Sequence, residues 1–306
     1  MPSVSVRKVW KALVDVRRTA SGEARICLVG GTALLTDAAR LLSAGAADAD
    51  AGVSSALDVL GPRDLPTRAD QLARWSVVVF LEDAAAPIRP ELRSEVAFCH
   101  AAGRPVVVAA MRDTEVVAVD RQAWLTEVGV ASREFVVHTQ GTTAYHAALA
   151  RRLAAVAGDD GLRLAAVLPA LRPAVVEHII DSTSRQNAVV GVLVFVPGAD
   201  MPVMTLNQIK MVLKIGAAYG HQPTPERFLE MMTIIASGFG IRALARKGVT
   251  YVPGLGWALK GVVGYTGTQA IGRAAVAYFE RGAPLTPHRL SRLRGRFGQF
   301  AQGTAR

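Results

Sequence analysis

Four features are scarce in this sequence of 306 residues, and each scarcity limits what the protein can do. Cysteine occurs only at positions 27 and 99, which excludes a disulfide framework and is typical of a reducing compartment. The six histidines show no spacing with cysteine that is typical of a metal site. The longest stretch with a single charge, 186–209, is interrupted by proline and glycine, so no clean membrane span is predicted. Residues 281–306 contain six arginines and no acidic residue.

Apolar residues and basic charge are abundant. Apolar residues make up 51% of the chain and charged residues 20%, so a substantial core is expected. The length predicts two domains. The net charge of +10 is uneven, because residues 1–160 contain 18 Lys/Arg and 19 Asp/Glu, whereas residues 161–280 contain 11 and 6. The basic second half therefore suits anionic lipid or nucleic acid.

Residues 1–20 are predicted to form a basic amphipathic helix. Helical spacing puts five apolar side chains on one stripe with basic residues on its flanks; the stripe is Val6, Val9, Trp10, Leu13 and Val16, and the basic residues are Arg7, Lys8, Lys11 and Arg18. Two interpretations remain open. The helix either lies on an anionic membrane surface, with Trp10 and Lys11 as contacts, or packs on its own domain.

Residues 21–158 alternate between apolar strand signals and helical stretches. Four runs, at 25–29, 76–81, 105–110 and 135–138, are continuously apolar or nearly so, which is typical of strands buried on both faces. Helical stretches separate most of them. This alternation predicts a doubly wound, parallel α/β sheet.

The segment ICLVGGTALLTDAARLL, 26–42, has the strand–turn–helix layout of a phosphate-binding loop. Gly30 and Gly31 would supply the turn and the helix N-terminus. In the pattern G-x-x-x-x-G-K-[ST], however, Leu35 stands at the second glycine, Thr36 at the lysine and Asp37 at the Ser/Thr. Without the lysine and the magnesium ligand we expect no phosphoryl transfer.

Two further motifs follow in the order found in small GTPases. Asp58 and Gly61 keep the D-x-x-G spacing, and Asp113 aligns with the aspartate of N-K-x-D, whose asparagine and lysine are absent. Residues 24–157 resemble, in the order and spacing of their elements, the G domain of Era-like bacterial GTPases. The resemblance implies a P-loop-NTPase-like fold and a vestigial nucleotide pocket at Gly30, Gly31, Asp58, Gly61 and Asp113. A chance D-x-x-G match remains the alternative.

Residues 162–282 are predicted to form an apolar helical domain, and 283–306 a basic tail. VFVPGAD, 194–200, and TYVPGLG, 250–256, each place Val-Pro-Gly between apolar runs. Because proline and glycine interrupt helices, two bent apolar hairpins are predicted, with bends at Pro197–Gly198 and Pro253–Gly254.

The segments 196–220 and 252–282 resemble a helical domain that follows the G domain in one group of Era-like GTPases and also occurs in YcjF-type bacterial membrane proteins. The resemblance rests on Pro197, Gly198, Asp200, Gln208, Met211, Tyr219, Pro253, Gly254, Trp257, Thr268, Gly272, Tyr278 and Phe279. It implies association with the inner membrane and supplies no catalytic residue. Asp200, Trp257 and Lys260 join the prolines and glycines as candidate membrane or hairpin residues; a soluble helical core is the alternative.

The sequence supports one main hypothesis and two alternatives. The first is a non-catalytic adaptor or regulatory protein at the cytoplasmic face of the inner membrane, or in the cytoplasm if the helical region is soluble. Its pseudo-GTPase domain would bind a protein partner such as a related GTPase, and an oligomer is compatible with it. No cofactor is expected, although residual GTP and Mg²⁺ binding stays open. The alternatives are a nucleotide-binding switch with a degenerate P-loop, and a soluble basic protein whose arginine-rich tail contacts nucleic acid. We do not expect nucleic acid to be the main partner, because no base-reading motif accompanies the tail.

Overall fold

The computed structural model describes residues 6–46, 55–112, 118–139, 143–193, 200–222 and 256–281. The chain forms two compact units. The α/β unit comprises Arg18–His178 and Ala217–Gly220. The helical unit comprises the described residues of Met1–Arg17, Ile179–Gly216 and His221–Arg306. Residues 159–161, which separate the predicted domains 21–158 and 162–282, therefore lie inside the α/β unit.

The α/β unit contains a five-stranded sheet in which all neighbouring strands are parallel. The strand order is β2-β1-β3-β4-β5, and the strands are β1 (Ile26–Gly30), β2 (Leu57–Leu60), β3 (Val77–Asp83), β4 (Val106–Arg112) and β5 (Phe135–Thr139). The predicted parallel α/β sheet followed by helices is thus confirmed.

Continuous apolar runs explain the three central strands. Every residue of β1 is buried, and β3 and β4 are buried except at their last residue. Such strands need cover on both faces, as in doubly wound folds. The strand that the sequence did not reveal is β2, a half-exposed edge strand of four residues that carries Asp58 in its middle.

Helices connect the strands of the α/β unit. They are α2 (Thr32–Leu42), α3 (Leu92–Ala101), α4 (Arg121–Val128), α5 (Thr143–Val156) and α6 (Asp160–Val167), with 3-10 helices at Leu65–Arg74 and Pro169–Leu171. Asp120 begins α4 as its N-cap, because its carboxylate accepts hydrogen bonds from the backbone of Gln122 and Ala123. Beneath α4 the rings of Trp124 and Phe135 stack with centroids 5.6 Å apart.

Four helices contribute to the helical unit. They are α1 (Val6–Ala20), α7 (Arg172–Leu193), α8 (Asp200–Ala218) and α9 (Gly256–Arg281); α7 begins in the α/β unit, which ends at His178. The α8 helix is buried nearly all round from Met204 to Ala218, as expected for a core helix. Pro197, Gly198, Pro253 and Gly254, the predicted bends, lie outside the described residues.

Glycines on α9 bring it very close to α7. A Cβ at Gly261 would meet Val192, at Gly264 the carbonyl of Asn187, and at Gly272 the side chain of Ile180. Because the contacting residue number falls on α7 as it rises on α9, the two helices run antiparallel. Small residues at these positions are what permits this approach.

Replacing Gly264 with alanine is expected to destabilise the protein by about 1–3 kcal/mol, because the new Cβ would lie 2.8 Å from a backbone oxygen that cannot move alone. Gly272→Ala is the comparison and should lose less, since its Cβ would meet side-chain atoms of Ile180 and no backbone atom, and it gains up to about 1 kcal/mol of helix propensity. Urea unfolding of both variants checks this. Equal effects, or a stabilising Gly264→Ala, would contradict the close packing.

Candidate functional site

The carboxyl edge of the sheet between β1 and β3 is the first candidate site. In open parallel sheets ligands bind at this edge, where the strand order reverses, and in the order 2-1-3-4-5 that point lies between β1 and β3. Here β1 ends at Gly30 and α2 begins directly after Gly31. The predicted glycines therefore lie at the position where a ligand of this fold is expected.

Gly30 and Gly31 differ in whether packing requires a glycine at that position. A Cβ at Gly30 would lie 2.7 Å from the carbonyl oxygen of Leu81, so packing against β3 alone demands glycine. A Cβ at Gly31 would meet nothing within 4 Å. Gly31 is the N-cap of α2, and no side chain caps this helix. Strand packing explains Gly30, and the exposed Gly31 leaves the start of α2 open.

Asp58 lies away from these glycines. It pairs in register with Cys27, three residues before Gly30, which is about 10 Å along the strand. Its Oδ2 accepts a 2.7 Å hydrogen bond from the indole nitrogen of Trp75, and its Oδ1 lies 3.5 Å from Arg25. The structure therefore does not bring Asp58 to the glycine turn, and both of its oxygens have structural partners.

Gly61 opens a tight turn that satisfies its own polar groups. The backbone nitrogen of Asp64 donates to the carbonyl of Gly61 at 3.2 Å, and the nitrogen of Gly61 donates to the carboxylate of Asp64 at 3.0 Å. Pro62 and Arg63, with a φ of 75° at Arg63, are the two central residues. A proline followed by a positive φ is the pattern of a type II turn. The D-x-x-G residues thus build a closed loop in this protein.

Acidic residues stand at the end of β3, beside the glycine turn. Glu82 and Asp83 follow Leu81, which pairs with Gly30. The buried Glu82 carboxylate binds the guanidinium of Arg89 through three contacts of 2.7–3.0 Å. Arg89 also donates to the buried Glu95 at 3.0 Å. Burial alone would lower the pKa of Arg89, but the hydrogen bonds and charges of Glu82 and Glu95 raise it above its usual range.

These contacts explain the electrostatics of the edge. The guanidinium of Arg89 is held by two carboxylates and is not free for a phosphate. Arg63, a second cation in this part of the chain, pairs with Glu91 at 2.8 Å, and a hydrogen bond from the Glu91 backbone together with Arg63 lowers the pKa of that carboxyl. Asp113, the predicted base-reading residue, lies outside the described residues. The described groups at this edge therefore disfavour an anionic ligand.

Both cysteines are buried and unsuited to nucleophilic chemistry. Cys27 on β1 and Cys99 on α3 are free thiols without solvent exposure. Burial, with help from Glu95, raises the pKa of Cys99 to about 12, and burial, Asp58 and Cys99 raise that of Cys27 further. Thiols of this kind stay protonated at neutral pH and pack as small apolar groups.

The helical unit presents a second candidate site along α1. Ala12, Leu13 and Val16 are buried, whereas Trp10 is 57% exposed and Val14 is 46% exposed. Trp10 therefore separates from the rest of the predicted apolar stripe, because the covered face runs through positions 9, 12, 13 and 16 and position 10 falls outside it. The alternative in which this helix packs on the protein holds for Leu13 and Val16.

The exposed face of α1 combines an indole with cations. Arg7, Trp10, Lys11 and Val14 are all exposed, and their spacing of three and four residues puts them on one outward stripe. We call these four residues the α1 stripe. Beside it, Asp15 lies 3.7 Å from Lys210 of α8. The helix is therefore held in the helical unit on one side and presents a basic, aromatic surface on the other.

A buried polar cluster joins α7, α8 and α9. The Thr268 hydroxyl donates to the carbonyl of Gly264 at 2.7 Å and accepts from the amides of Asn187 and Gln208, both at 2.9 Å. Asn207 donates to Asn187 at 2.9 Å. The resemblance had pointed to Gln208 and Thr268, which the structure brings together. Asn187 was missed, because a single asparagine inside an apolar helix carries no local signal.

The structure locates three of the remaining candidate membrane or hairpin residues. Asp200 is the first residue of α8, and Trp257 and Lys260 lie in the first turns of α9. No helix among the described residues has both the length and the apolarity that crossing a membrane requires. The described part of the chain also contains no group of three or more His, Cys, Asp or Glu side chains able to hold a metal ion.

Comparison with known proteins adds no assignment. No protein-family model, no curated protein and no solved structure matches this chain. The likeness to Era-like G domains and to the YcjF-type helical domain therefore rests on the residues and spacings given above.

Asp58 is expected to act on stability and not on magnesium. In Asp58→Ala the buried indole nitrogen of Trp75 loses its acceptor, which should lower the free energy of unfolding by about 1–3 kcal/mol. Asp58→Asn, which keeps an acceptor oxygen, should lose less. Urea unfolding with and without MgCl₂ and GTP measures this. Stabilisation of the wild type by Mg²⁺ and GTP that disappears in Asp58→Ala would contradict it.

The buried thiols should make stability fall at alkaline pH. A thiol whose folded pKa lies above its unfolded value of 9.0 stabilises the fold fully below that value, and the contribution is lost as the pH rises towards the folded pKa of about 12. Between about pH 8 and about pH 10, Cys99→Ala is expected to lose about 1 kcal/mol less stability than the wild type. Parallel pH profiles of the two proteins in urea unfolding would contradict this.

Proposed function

We propose that this protein is a non-catalytic adaptor or regulatory protein that associates with the cytoplasmic face of the inner membrane. In this proposal the helical unit attaches to anionic lipid, and the α/β unit is a pseudo-GTPase domain that binds a protein partner. The α1 stripe is the observation that carries the proposal. An exposed indole between cations is the chemistry by which a helix lies at a bilayer interface.

The location of the apolar and charged groups supports attachment by this face. Trp10 and Val14 supply apolar surface that no described residue covers, and Arg7 and Lys11 flank them on the same face. Basic groups near an anionic leaflet contribute on the order of 1 kcal/mol each, and tryptophan favours the interface. Asp15 does little to neutralise Arg7 and Lys11, because its carboxylate lies 3.7 Å from the ammonium group of Lys210.

The carboxyl edge of the sheet supports the non-catalytic part. Because of the resemblance to Era-like GTPases, we interpret the strand order and the glycine turn as those of a G-domain-like fold. Phosphoryl transfer depends on cations placed around the transferred phosphate. At this edge Arg89 and Arg63 are paired with glutamates, and the lysine of the P-loop is replaced by Thr36. Such a unit is suited to presenting a surface and not to turnover.

The α1 stripe is expected to control binding to anionic vesicles. Lys11→Glu replaces an attraction by a repulsion, so the partition coefficient on phosphatidylglycerol-containing vesicles should fall by about tenfold or more. Trp10→Ala should weaken binding as well, because it removes the interfacial ring. Sedimentation of the full-length protein with vesicles measures both effects.

Arg74→Glu is the matched control, because Arg74 is exposed, lies in the α/β unit and undergoes the same change of charge. It should bind vesicles nearly as well as the wild type. If Trp10→Ala and Lys11→Glu also bind like the wild type, then α1 is not the membrane surface. If the wild type ignores anionic vesicles and stays in the supernatant after cell fractionation, the membrane attachment itself is refuted.

A further inference from the structure

Four arginines gather on the α/β unit away from the edge described above. Arg121 is the first residue of α4, Arg133 lies between α4 and β5, and Arg151 and Arg152 are consecutive on α5. We call them the arginine cluster. Arg133 and Arg151 are exposed, and Arg121 and Arg152 are half-buried. Neither the strand order nor the glycine turn gives a reason for this accumulation of charge.

Backbone carbonyls hold two of the guanidinium groups side by side. Arg121 donates to both the carbonyl and the hydroxyl of Ser132 at 2.8 Å, and its guanidinium lies 5.3 Å above the ring of Phe135. Arg152 donates to the carbonyl of Arg133 at 3.4 Å. Because Ser132 and Arg133 are consecutive, the two guanidinium groups occupy neighbouring positions on one loop.

Nearby carboxylates do not neutralise this charge. Within the described ranges, no Asp or Glu lies within 4.0 Å of any guanidinium of the cluster. Asp120 caps α4, and Glu134 accepts from the backbone nitrogen of Ala131 and faces His100 at 3.6 Å. Burial, followed by the charges of Arg121 and Arg151, lowers the pKa of Arg152, as expected where like charges are crowded.

The charge of the whole unit makes the cluster distinctive. Residues 18–178 contain 16 Lys/Arg and 19 Asp/Glu, a net charge of −3. The cluster is therefore a local basic site on an acidic unit. Hydrogen bonds hold Arg121 and Arg152 on this surface, and Arg133 and Arg151 are exposed beside them. An exposed guanidinium is well suited to pair with a planar carboxylate.

We propose that the arginine cluster binds an acidic segment of the protein partner, in which aspartate or glutamate side chains pair with Arg133 and Arg151. This inference rests on the proposed adaptor function and names the surface that it uses. Nucleic acid fits less well, because single strands need exposed aromatic rings for stacking. Phe135 is fully buried, and the large exposed apolar side chains described in this unit are valines.

Binding of a fluorescein-labelled oligoglutamate to the full-length chain tests the proposal, with oligothymidylate of equal charge as the competing probe. Arg133→Glu combined with Arg151→Glu should weaken oligoglutamate binding at least about tenfold, because both side chains are exposed and make no described hydrogen bond that the fold needs. Replacement of both by lysine should recover part of the affinity, since charge is kept but the planar fork is lost.

Arg74→Glu again serves as the control and should change oligoglutamate binding less than about twofold. An equal loss of binding in Arg74→Glu would overturn the proposal, since any exposed arginine would then matter equally. No loss in the double variant would also overturn it, since the basic tail would then account for binding. Tighter binding of oligothymidylate, lost in the double variant, would reassign the cluster to nucleic acid. Vesicle binding separates the two proposals. If the wild type does not bind oligoglutamate, and the double variant binds vesicles as well as the wild type does, only the cluster proposal fails.

Discussion

The burial of β1, β3 and β4 on both faces is the constraint on which the α/β unit depends. Strands covered on two sides have no free surface, so function is confined to strand ends, loops and the outer faces of helices. The same close packing demands Gly30, because the carbonyl of Leu81 occupies the space that a Cβ would need. A glycine that suggests a phosphate loop is thus accounted for by strand contact. Next to it, Glu82 and Glu95 hold the guanidinium of Arg89, which is therefore not available to a phosphate.

The sequence could predict the class of this unit but not the roles of its acidic residues. Continuous apolar runs gave the positions of β1, β3, β4 and β5, because burial on both faces leaves a strong local pattern. The edge strand β2 leaves a weak one. Asp58 matched D-x-x-G by spacing alone, and its partners Arg25 and Trp75 lie 33 and 17 residues away in the chain. A two-residue motif cannot reveal such contacts, since they depend on how the strands align.

In the helical unit, too, the sequence could not predict which side chains would contact one another. Resemblance pointed to Gln208, Thr268 and Gly272 without a physical reason. The structure supplies one, which is a buried hydroxyl shared by two amides and a close contact between helices. Thr268 and Asn187 are 81 residues apart, so no local pattern links them. For α1 the periodicity predicted an amphipathic helix correctly and grouped Trp10 with Leu13 and Val16, but only the latter two are buried. A broad apolar stripe does not say which part of it is covered, because that depends on the helices opposite.

The two basic surfaces differ in a way that suits an adaptor. On α1, Lys11 and Arg7 stand on a helix surface beside an exposed indole. The proposed attraction to lipid would come from several charges acting together and would be screened within a Debye length of about 8 Å. In the arginine cluster, carbonyls of Ser132 and Arg133 hold Arg121 and Arg152 in place. The exposed Arg133 and Arg151 stand beside them, and the paired hydrogen bonds proposed for these two with carboxylates would persist at salt concentrations that weaken long-range attraction. A membrane contact of the first kind is readily reversible, and a partner contact of the second kind is directional. The proposed adaptor would therefore bind its two partners through different kinds of basic surface, and neither surface lies at the carboxyl edge of the sheet.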